Sequence, residues 1–292
     1  MGIPDIRKYM DKKNRLRFMY AKHWTGETVD ERVILFESFH GKEISDTPLA
    51  MARALLDMPA DTLLPNGLKV SDLKLYFSTN DLERDKRAIE DLGYEDCIGL
   101  VHIHSDEYTR LLATAGLLIN NSSFPSYIVR REGQKYLQTW HGTPWKTLGR
   151  SMKGELASIH NSQHNFIQAS HLLFPNDFTR EVMMRDYILE ELFTGKVITH
   201  GYPRNSVFCD KEKAAEIKKL CGDEKYSTLA YMPTWRGQDN RNIETGSFVD
   251  DTLLQLKAMD DARRRPEALR EPASDSPDRD RLKRIYAYIP FP

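Results

Sequence analysis

A histidine lies directly after an apolar segment, where a parallel strand would bring it to the edge of a sheet. Residues 136–140 predict a short buried strand, which His141, Gly142 and Pro144 end. Ligands of open α/β sheets bind beyond the carboxyl ends of the strands, and an imidazole there can accept a proton near pH 7. The segment fits an active-site edge with His141 as the base. A histidine that only caps a turn fits the same residues equally well.

The elements that would position this histidine alternate regularly along the chain. Further strands are predicted at residues 32–36, 73–77, 97–103, 117–120, 172–174 and 196–199. Helices are predicted to begin near Pro48, Asn80, Ser105, Asn176 and Lys211, and the one that Asn176 or Asp177 caps is expected to run to Leu192. Alternating strands and helices are typical of a parallel sheet that is covered on both faces. The predicted fold class is α/β, with a doubly wound parallel sheet.

Five short motifs follow one another in a fixed order. They are FESFHGKEISDTP (residues 36–48), QTWHGTPWK (138–146), FPNDFT (174–179), GYPRN (201–205) and MPTWR (232–236). Together they resemble the CDP-glycerol glycerophosphotransferase family, the teichoic-acid and capsule polyol-phosphate polymerases, over about residues 30–258. The resemblance implies a GT-B-like architecture of two facing domains, with the nucleotide held mainly by the second.

The resemblance also implies an activity and a set of site residues. The family transfers glycerol phosphate, or a related polyol phosphate, from a CDP-activated donor to the hydroxyl end of a lipid-linked polymer. His141 is the expected general base, since an alcohol is a poor nucleophile until its proton is accepted. No cofactor is expected, and the metal requirement is left open. Substrate contacts are expected from Lys42, Asp46, Gly142, Thr143, Lys146, Asn176, Arg204, Asn205 and Arg236.

Four segments are expected from composition and from the resemblance. They are a basic N-terminal segment (1–29), an acceptor-side Rossmann-like domain (30–222), the start of a nucleotide-binding domain (223–259) and a charged, disordered tail (260–292). The tail replaces the His-Pro motif and the acidic, serine-rich loop that the family places after Met259, so we expect a truncated or frame-shifted member, and an inactive fragment is one of the expected outcomes. A non-catalytic module that binds or assembles the acceptor, or a GT-B nucleotide-sugar glycosyltransferase, also fits these residues.

The N-terminal segment could contact a membrane. Residues 5–24 contain seven Lys and Arg side chains among apolar ones. A helix of this composition can lie on an anionic bilayer, although a basic solvated face on an ordinary helix fits as well. The family extends a lipid-linked acceptor, which favours contact. We therefore expect a cytoplasmic protein that is peripheral at the inner face of the cell membrane.

Charge and cysteine usage exclude other classes of function. The 42 basic and 43 acidic residues leave a net charge of -1, so nucleic acid is not an expected partner. Cys97, Cys209 and Cys221 are far apart and lack CxxC spacing, which indicates reduced thiols. His102 and His104 have no partner at metal-ligand spacing, and we interpret them as packing or rim residues.

Overall fold

The described part of the chain contains one seven-stranded, all-parallel sheet. The computed structural model describes residues 12–152 and 159–220. The strands are β1 (Asp30–Glu37), β2 (Lys74–Thr79), β3 (Ile98–His102), β4 (Ala115–Asn120), β5 (Lys135–Gln138), β6 (His171–Phe174) and β7 (Lys196–Thr199). Their order in the sheet is β3-β2-β1-β4-β5-β6-β7. The α/β prediction with a doubly wound parallel sheet is confirmed.

Helices connect most of the strands. They are α1 (Lys12–Gly26), α2 (Asp46–Leu56), α3 (Leu82–Asp91), α4 (Asp106–Thr114), α5 (His160–Gln168), α6 (Asp177–Asp186), α7 (Leu189–Leu192) and α8 (Lys211–Leu220). Short 3-10 helices lie at Phe39–Gly41, Val70–Asp72, Gly149–Ser151 and Pro203–Cys209. None of the helices described is long and apolar enough to cross a membrane.

Strand β1 lies at the point where the strand order changes direction. It pairs with β2 on one side and with β4 on the other. The loops that leave β1 and β4 therefore diverge to opposite faces of the sheet and open a crevice between them. In doubly wound sheets this switch point is where ligands bind.

The core lies on both faces of the sheet because its central strands are apolar on both sides. In β1, Val33 and Leu35 pack into one apolar cluster, and Ile34 and Phe36 pack into the other. Successive side chains of a strand point to opposite faces, so the continuous apolar segment of β1 fills two core layers. Because β1 is packed on both faces, the loop that follows it begins from a fixed position.

Strand β5 is shorter than predicted. It ends at Gln138, whereas the sequence predicts a strand through residue 140. Trp140 has a φ of 52°, a left-handed conformation that no strand accommodates, and its N–H donates to Oε1 of Gln138 at 2.9 Å. The strand prediction was wrong at this end because a side chain takes over the hydrogen bond that a sheet partner would make.

Two helix predictions also need correction, and two are confirmed. The helix predicted to run to Leu192 breaks at Ile188, whose φ is 57°. The cap of α3 is Asp81, which accepts from the N–H of Arg84 at 3.0 Å, and not Asn80. The caps expected at Ser105 and Asn176 are confirmed, since each side chain accepts a hydrogen bond from the first turn of its helix.

Helix α1 packs its apolar side against the domain. Leu16 and Tyr20 are buried, and the Tyr20 hydroxyl donates to the carbonyl of Val129 at 2.8 Å. The imidazole of His23 contacts Asp106 of α4 at 2.8 Å.

Several predictions lie outside the described residues: those for residues 1–11, for Cys221, for Arg236, and for the segments 223–259 and 260–292. Cys97 and Cys209 are free thiols.

Candidate functional site

The loops after β1, β4 and β5 bring His141 to the carboxyl edge of the sheet with one ring nitrogen fixed. Its Nδ1 lies 2.7 Å from the carbonyl oxygen of Asn121. A carbonyl can only accept, so Nδ1 carries the proton and donates it. In the neutral ring Nε2 then keeps a lone pair. The edge therefore presents His141 as a proton acceptor in one defined tautomer.

The surroundings of His141 keep its ring neutral and in place. The imidazole is half-buried and stacks on Trp140, with ring centroids 4.1 Å apart and planes at 28°, while the Phe39 ring lies 5.6 Å away. Burial lowers the pKa of His141 below its ordinary value, and the hydrogen bond to Asn121 offsets this only in part. The ring is therefore deprotonated at neutral pH, as a general base requires.

An ion pair lies beside the histidine. Nη1 of Arg204 donates to Asp46 at 2.7 Å and to the carbonyl of His141 at 2.9 Å. The Asp46 side chain is only 4% exposed, whereas that of Arg204 is 32% exposed. The guanidinium also lies over the Tyr202 ring, 4.6 Å from its centroid. Asp46 therefore holds Arg204 against the His141 loop, with part of the cation still open to solvent.

The carboxylate of Asp46 also occupies the start of α2. Its Oδ1 accepts from the N–H of Thr47 at 2.7 Å. An acidic group there is stabilised by the free amides and the dipole of the helix. Asp46 was predicted as a substrate contact, and its side chain is engaged with the protein.

Asn121, which sequence reasoning missed, connects these parts. It is fully buried, its Oδ1 accepts from the N–H of Phe39 at 2.9 Å, and its Nδ2 donates to Asp46 at 2.7 Å. Its carbonyl accepts from His141. One residue therefore ties the loop after β1 to the loop after β5. The only signal in the sequence is that a polar pair, Asn120 and Asn121, follows an apolar strand.

The backbone of the site is strained. Five non-glycine residues within 12–152 and 159–220 have a positive φ, and Phe39, His40, Asp46 and Trp140 are four of them. Each such residue costs about 1–3 kcal/mol and persists only where surrounding contacts impose it. Four of the five lie near His141, so unfavourable backbone conformations are concentrated at this edge of the sheet.

The remaining predicted site residues lie around this centre with different degrees of engagement. Gly142 and Thr143 are half-buried beside His141, and the Thr143 hydroxyl accepts from Thr179 at 3.2 Å. Asn176 uses its side-chain oxygen to cap α6, accepting from the N–H of Thr179 at 2.8 Å. The side chain of Asn176 is thus occupied by a structural role.

The predicted lysines are exposed. Lys42 and Lys146 both lie at the surface, as does Asn205 in the 3-10 helix after Pro203. Gly41, which precedes Lys42, is buried against the end of β2: it has a φ of 72°, and a Cβ there would lie 2.6 Å from Cγ2 of Ile103. Glycine is required at this turn by close packing. Lys42 extends from that turn as a surface cation.

A second histidine lies on the other side of Asn121. Nδ1 of His40 donates to the carbonyl of Ser123 at 2.9 Å, and its Nε2 accepts from the Ser122 hydroxyl at 2.9 Å. Burial lowers the pKa of His40 as well. His40 borders a cleft of about 400 Å³ between the loops after β1, β3 and β4. Neither the cleft nor His40 was among the predicted site residues.

A buried carboxyl group lies at the floor of that cleft. Glu37, the last residue of β1, accepts hydrogen bonds from the hydroxyls of Ser78 and Tyr108, each at 2.8 Å, and from Nδ2 of Asn120 at 3.1 Å. Burial raises its pKa to about 7, although these hydrogen bonds favour the charged form. Within the described ranges, no group of three or more His, Cys, Asp or Glu side chains could hold a metal ion.

Comparison with known proteins gives a family match over most of the chain. The family model described as CDP-Glycerol:Poly(glycerophosphate) glycerophosphotransferase matches residues 18–266. A teichoic acid poly(glycerol phosphate) polymerase of Staphylococcus epidermidis is 27% identical over 259 residues, which is 84% of this chain and 32% of that protein. A polymerase with the same description from Bacillus spizizenii is 28% identical over 79% of this chain and 56% of its own length.

Solved structures show the same fold. A structure of the wall teichoic acid polymerase TagF, in a substituted form soaked with CDPG, aligns with a TM-score of 0.61 and 25% identity. The alignment covers 77% of this chain and 53% of that one. A second TagF structure aligns with a TM-score of 0.56 and 23% identity, over 72% and 47% of the two chains. The chain thus spans about a third to a half of the length of the relatives it matches.

Proposed function

Because the chain belongs to the CDP-Glycerol:Poly(glycerophosphate) glycerophosphotransferase family, we propose that it transfers glycerol phosphate, or a related polyol phosphate, from a CDP-activated donor to a hydroxyl acceptor. The relatives are described as teichoic acid poly(glycerol phosphate) polymerases, which supports a polyol-phosphate polymer as the acceptor. That this polymer is carried on a lipid is part of the proposal. Residues 30–222 would form the acceptor side of the enzyme, and residues 223–259 would begin the donor side.

The observation that carries this proposal is the fixed tautomer of His141. Its Nδ1–H is held by the Asn121 carbonyl at 2.7 Å, which leaves Nε2 as the proton acceptor. The acceptor hydroxyl loses its proton to Nε2 as its oxygen forms a bond to the phosphorus that carries glycerol. The bond between that phosphorus and the oxygen that bridges the two phosphorus atoms of CDP-glycerol breaks, and CMP leaves with this oxygen. His141 serves as the general base of this step.

Arg204 is the cation best placed to bind a phosphate near that base. Its Nη1 is held by Asp46 and by the His141 carbonyl, and one third of the side chain remains exposed. Guanidinium has five N–H donors, so binding Asp46 does not exhaust it. Phosphoryl transfer depends on such positioned charges. Lys42, Lys146 and Arg236 are further proposed phosphate contacts, and Gly142, Thr143 and Asn205 are proposed to line the same site.

The test is a transfer assay with labelled CDP-glycerol and a lipid-linked glycerol phosphate acceptor. His141→Ala is expected to lower the rate by roughly two to four orders of magnitude while the protein remains folded. His160→Ala, a change at an exposed histidine of α5, is the matched control and should retain the rate. The pH profile gives a second readout: since burial lowers the pKa of His141, the rate should rise with pH through a pKa below 6.5 and then stay constant.

Two results would contradict this assignment. A His141→Ala variant that retains transfer would remove the base role. A variant that loses activity only in proportion to lost stability would make His141 a packing residue. Transfer from a UDP-sugar and not from CDP-glycerol would instead support a nucleotide-sugar glycosyltransferase.

We further propose that α1 holds the protein at an anionic membrane surface. Its apolar side is covered by the domain, so contact would depend on the outward side, where Arg15, Arg17 and Lys22 are exposed and Phe18 is 61% exposed. Each cation near such a surface contributes about 1 kcal/mol, and salt screens the attraction. This face supports a peripheral location, and the cytoplasmic side of the cell membrane is part of the proposal.

Co-sedimentation with phosphatidylglycerol vesicles tests the membrane proposal. Changing Arg15, Arg17 and Lys22 to Gln should weaken binding, and added salt should weaken binding of the unchanged protein. Changing Lys86 and Arg87 of α3 to Gln is a control of similar charge and should have little effect. Equal binding of the unchanged protein to phosphatidylcholine vesicles would contradict an electrostatic contact.

A further inference from the structure

The cleft beside His40 lies at the switch point of the sheet, next to the proposed transfer site but separate from its charged groups. It has a volume of about 400 Å³, which is within the usual range for small-molecule sites. His40 and Ser123 form part of its rim, and both belong to the loops that also hold His141. Neither His141, Asp46 nor Arg204 lines it.

The walls of the cleft are largely apolar and aromatic. Leu16 of α1, Ile103, Phe124 and Tyr127 line this surface, and Ser126 lies among them. Flat apolar walls with a few polar groups suit a ligand that has both C–H faces and hydroxyl groups. Such walls give little to a bare phosphate, whose oxygens need cationic or N–H partners.

The polar groups of the cleft have unused hydrogen-bonding capacity. The hydroxyl of Tyr127 is buried and has no hydrogen-bond partner among the described residues. Among the residues that the structure describes, Oε1 of Glu37 accepts from Asn120 alone, although a carboxyl oxygen can accept two hydrogen bonds. A buried hydroxyl without a partner costs about 1–3 kcal/mol, so the fold tolerates it where a ligand can satisfy it.

A hydroxyl group of a ligand suits both the Tyr127 hydroxyl and Oε1 of Glu37. A ligand hydroxyl can accept from Tyr127 and donate to Glu37, whereas a phosphate or carboxylate would face the Glu37 carboxyl without a cation beside it. His40 and His104 also border the cleft, and His40 is neutral at pH 7 because burial lowers the pKa of its ring. We propose that this cleft binds an uncharged sugar or polyol unit through its hydroxyl groups. That the unit belongs to the acceptor, next to its reacting end, rests on the proposed function.

The site divides chemically between its two halves. Arg204 and His141 supply a cation and a base for the reacting phosphate and hydroxyl, and the cleft supplies apolar walls and hydrogen-bonding groups for the part that does not react. His141 contacts Asn121, and His40 contacts Ser122 and Ser123, so the two halves of the site share the loop after β4.

The experiment is direct binding to the 292-residue chain by saturation-transfer NMR and calorimetry. The probes are glucose, N-acetylglucosamine, maltose, ribitol and glycerol, with glycerol 3-phosphate as the charged comparison. At least one neutral probe should bind better than glycerol 3-phosphate. Tyr127→Phe should lower the affinity for that neutral probe roughly 3- to 10-fold, because the probe loses a hydrogen-bond donor. The change should not lower thermal stability, because the hydroxyl that it removes is buried and unpaired among the described residues. Ser126→Phe, which fills the cleft, should abolish binding.

Tyr76→Phe is the matched control, because Tyr76 lies on β2 and does not line the cleft. It should bind the probe as the unchanged chain does. The proposal is overturned if none of the neutral probes binds, if Ser126→Phe binds as well as the unchanged chain, or if glycerol 3-phosphate is preferred. The readout needs no donor. Binding of a neutral probe to a chain without CDP-glycerol-dependent transfer would therefore support the cleft and remove the proposed function.

Discussion

Two carboxyl groups are buried at the same edge of the sheet, and the charges of their partners differ. Asp46 is paired with the guanidinium of Arg204 at 2.7 Å. Glu37 is surrounded by two hydroxyls and an amide, none of which carries a charge. The neighbours Asn120 and Asn121 serve one carboxyl each: Nδ2 of Asn120 donates to Glu37, and Nδ2 of Asn121 donates to Asp46.

The surroundings of Asp46 therefore contain a charged partner, whereas the described partners of Glu37 are neutral. The ion pair at Asp46 keeps a cation next to His141, where a phosphate is proposed to bind. The neutral donors at Glu37 leave its carboxyl close to its titration point at pH 7, at the floor of an apolar cleft. Each carboxyl accepts from one asparagine amide, so the charge at this edge depends on the other partners: Arg204 for Asp46, and two hydroxyls for Glu37.

Introducing a charge at each asparagine in turn should separate the two regions most strongly. Asn120→Asp places a second carboxyl against Glu37 with no cation nearby, and we expect the free energy of unfolding to fall by more than about 3 kcal/mol at pH 7. Asn121→Asp places its charge against Asp46, whose partner Arg204 offsets part of the repulsion, and should cost at least about 1 kcal/mol less. Urea denaturation of the two variants measures both losses of unfolding free energy. Equal losses would mean that the two regions do not differ in their tolerance of charge.

The pH dependence of stability should carry the signature of Glu37. Its pKa is raised from 4.5 to about 7 in the folded protein, so between these values the folded state holds a proton that the unfolded state has lost. Stability should therefore fall as pH rises from 4.5 to 7, by roughly 3 kcal/mol in total, and remain at the lower value above that.

Glu37→Gln isolates this contribution because glutamine keeps the shape and does not titrate. The difference in unfolding free energy between the unchanged protein and Glu37→Gln should follow the stated curve. If the two proteins show parallel curves from pH 4.5 to 7.5, Glu37 is not the group that titrates.

Removing the cation should have a smaller effect. Arg204→Met leaves Asp46 buried without its ion-pair partner and should cost about 2 kcal/mol, less than for a fully buried pair because the Arg204 side chain is one third exposed. Adding Asp46→Asn to Arg204→Met should restore part of the loss. A double-mutant cycle in urea gives the coupling, and strict additivity of the two changes would contradict the pairing.

The smallest effect is expected at Asn176, which was predicted to bind substrate and which the structure shows capping α6. Asn176→Ala should lower stability by about 1 kcal/mol, and Asn176→Ser should restore most of it, since serine is an equally good cap. Thermal denaturation gives the stability, and the KM for CDP-glycerol gives the binding. A rise in KM that serine does not reverse would show that Asn176 also contacts substrate.

Much of the fold could be read from local patterns. The apolar β-branched segments gave six of the strands nearly in place, and Ser105 and Asn176 are caps because short polar side chains before a helix satisfy its free amides. The errors arose where a neighbouring side chain or an unusual φ replaced the local rule. Trp140 ended β5 early, and Ile188 divided a predicted helix.

The sequence by itself also determined which motifs lie at the carboxyl edge, because a strand followed by Gly or Pro must deliver its next residues there. His141 and Arg204 were found in this way. Their partners were not, since Asp46 and Arg204 are separated by 158 positions and no local pattern encodes that distance.

Only the tertiary structure decided what the polar groups at that edge do. Asn121 gained its role because β1, β4 and β5 lie side by side and their loops converge on one buried amide. The same convergence selected the tautomer of His141, the cation of Asp46 and the neutral surroundings of Glu37. A local pattern fixes which residues reach the edge, but hydrogen-bond partners and burial arise between segments, and these set the protonation and the chemistry of each group.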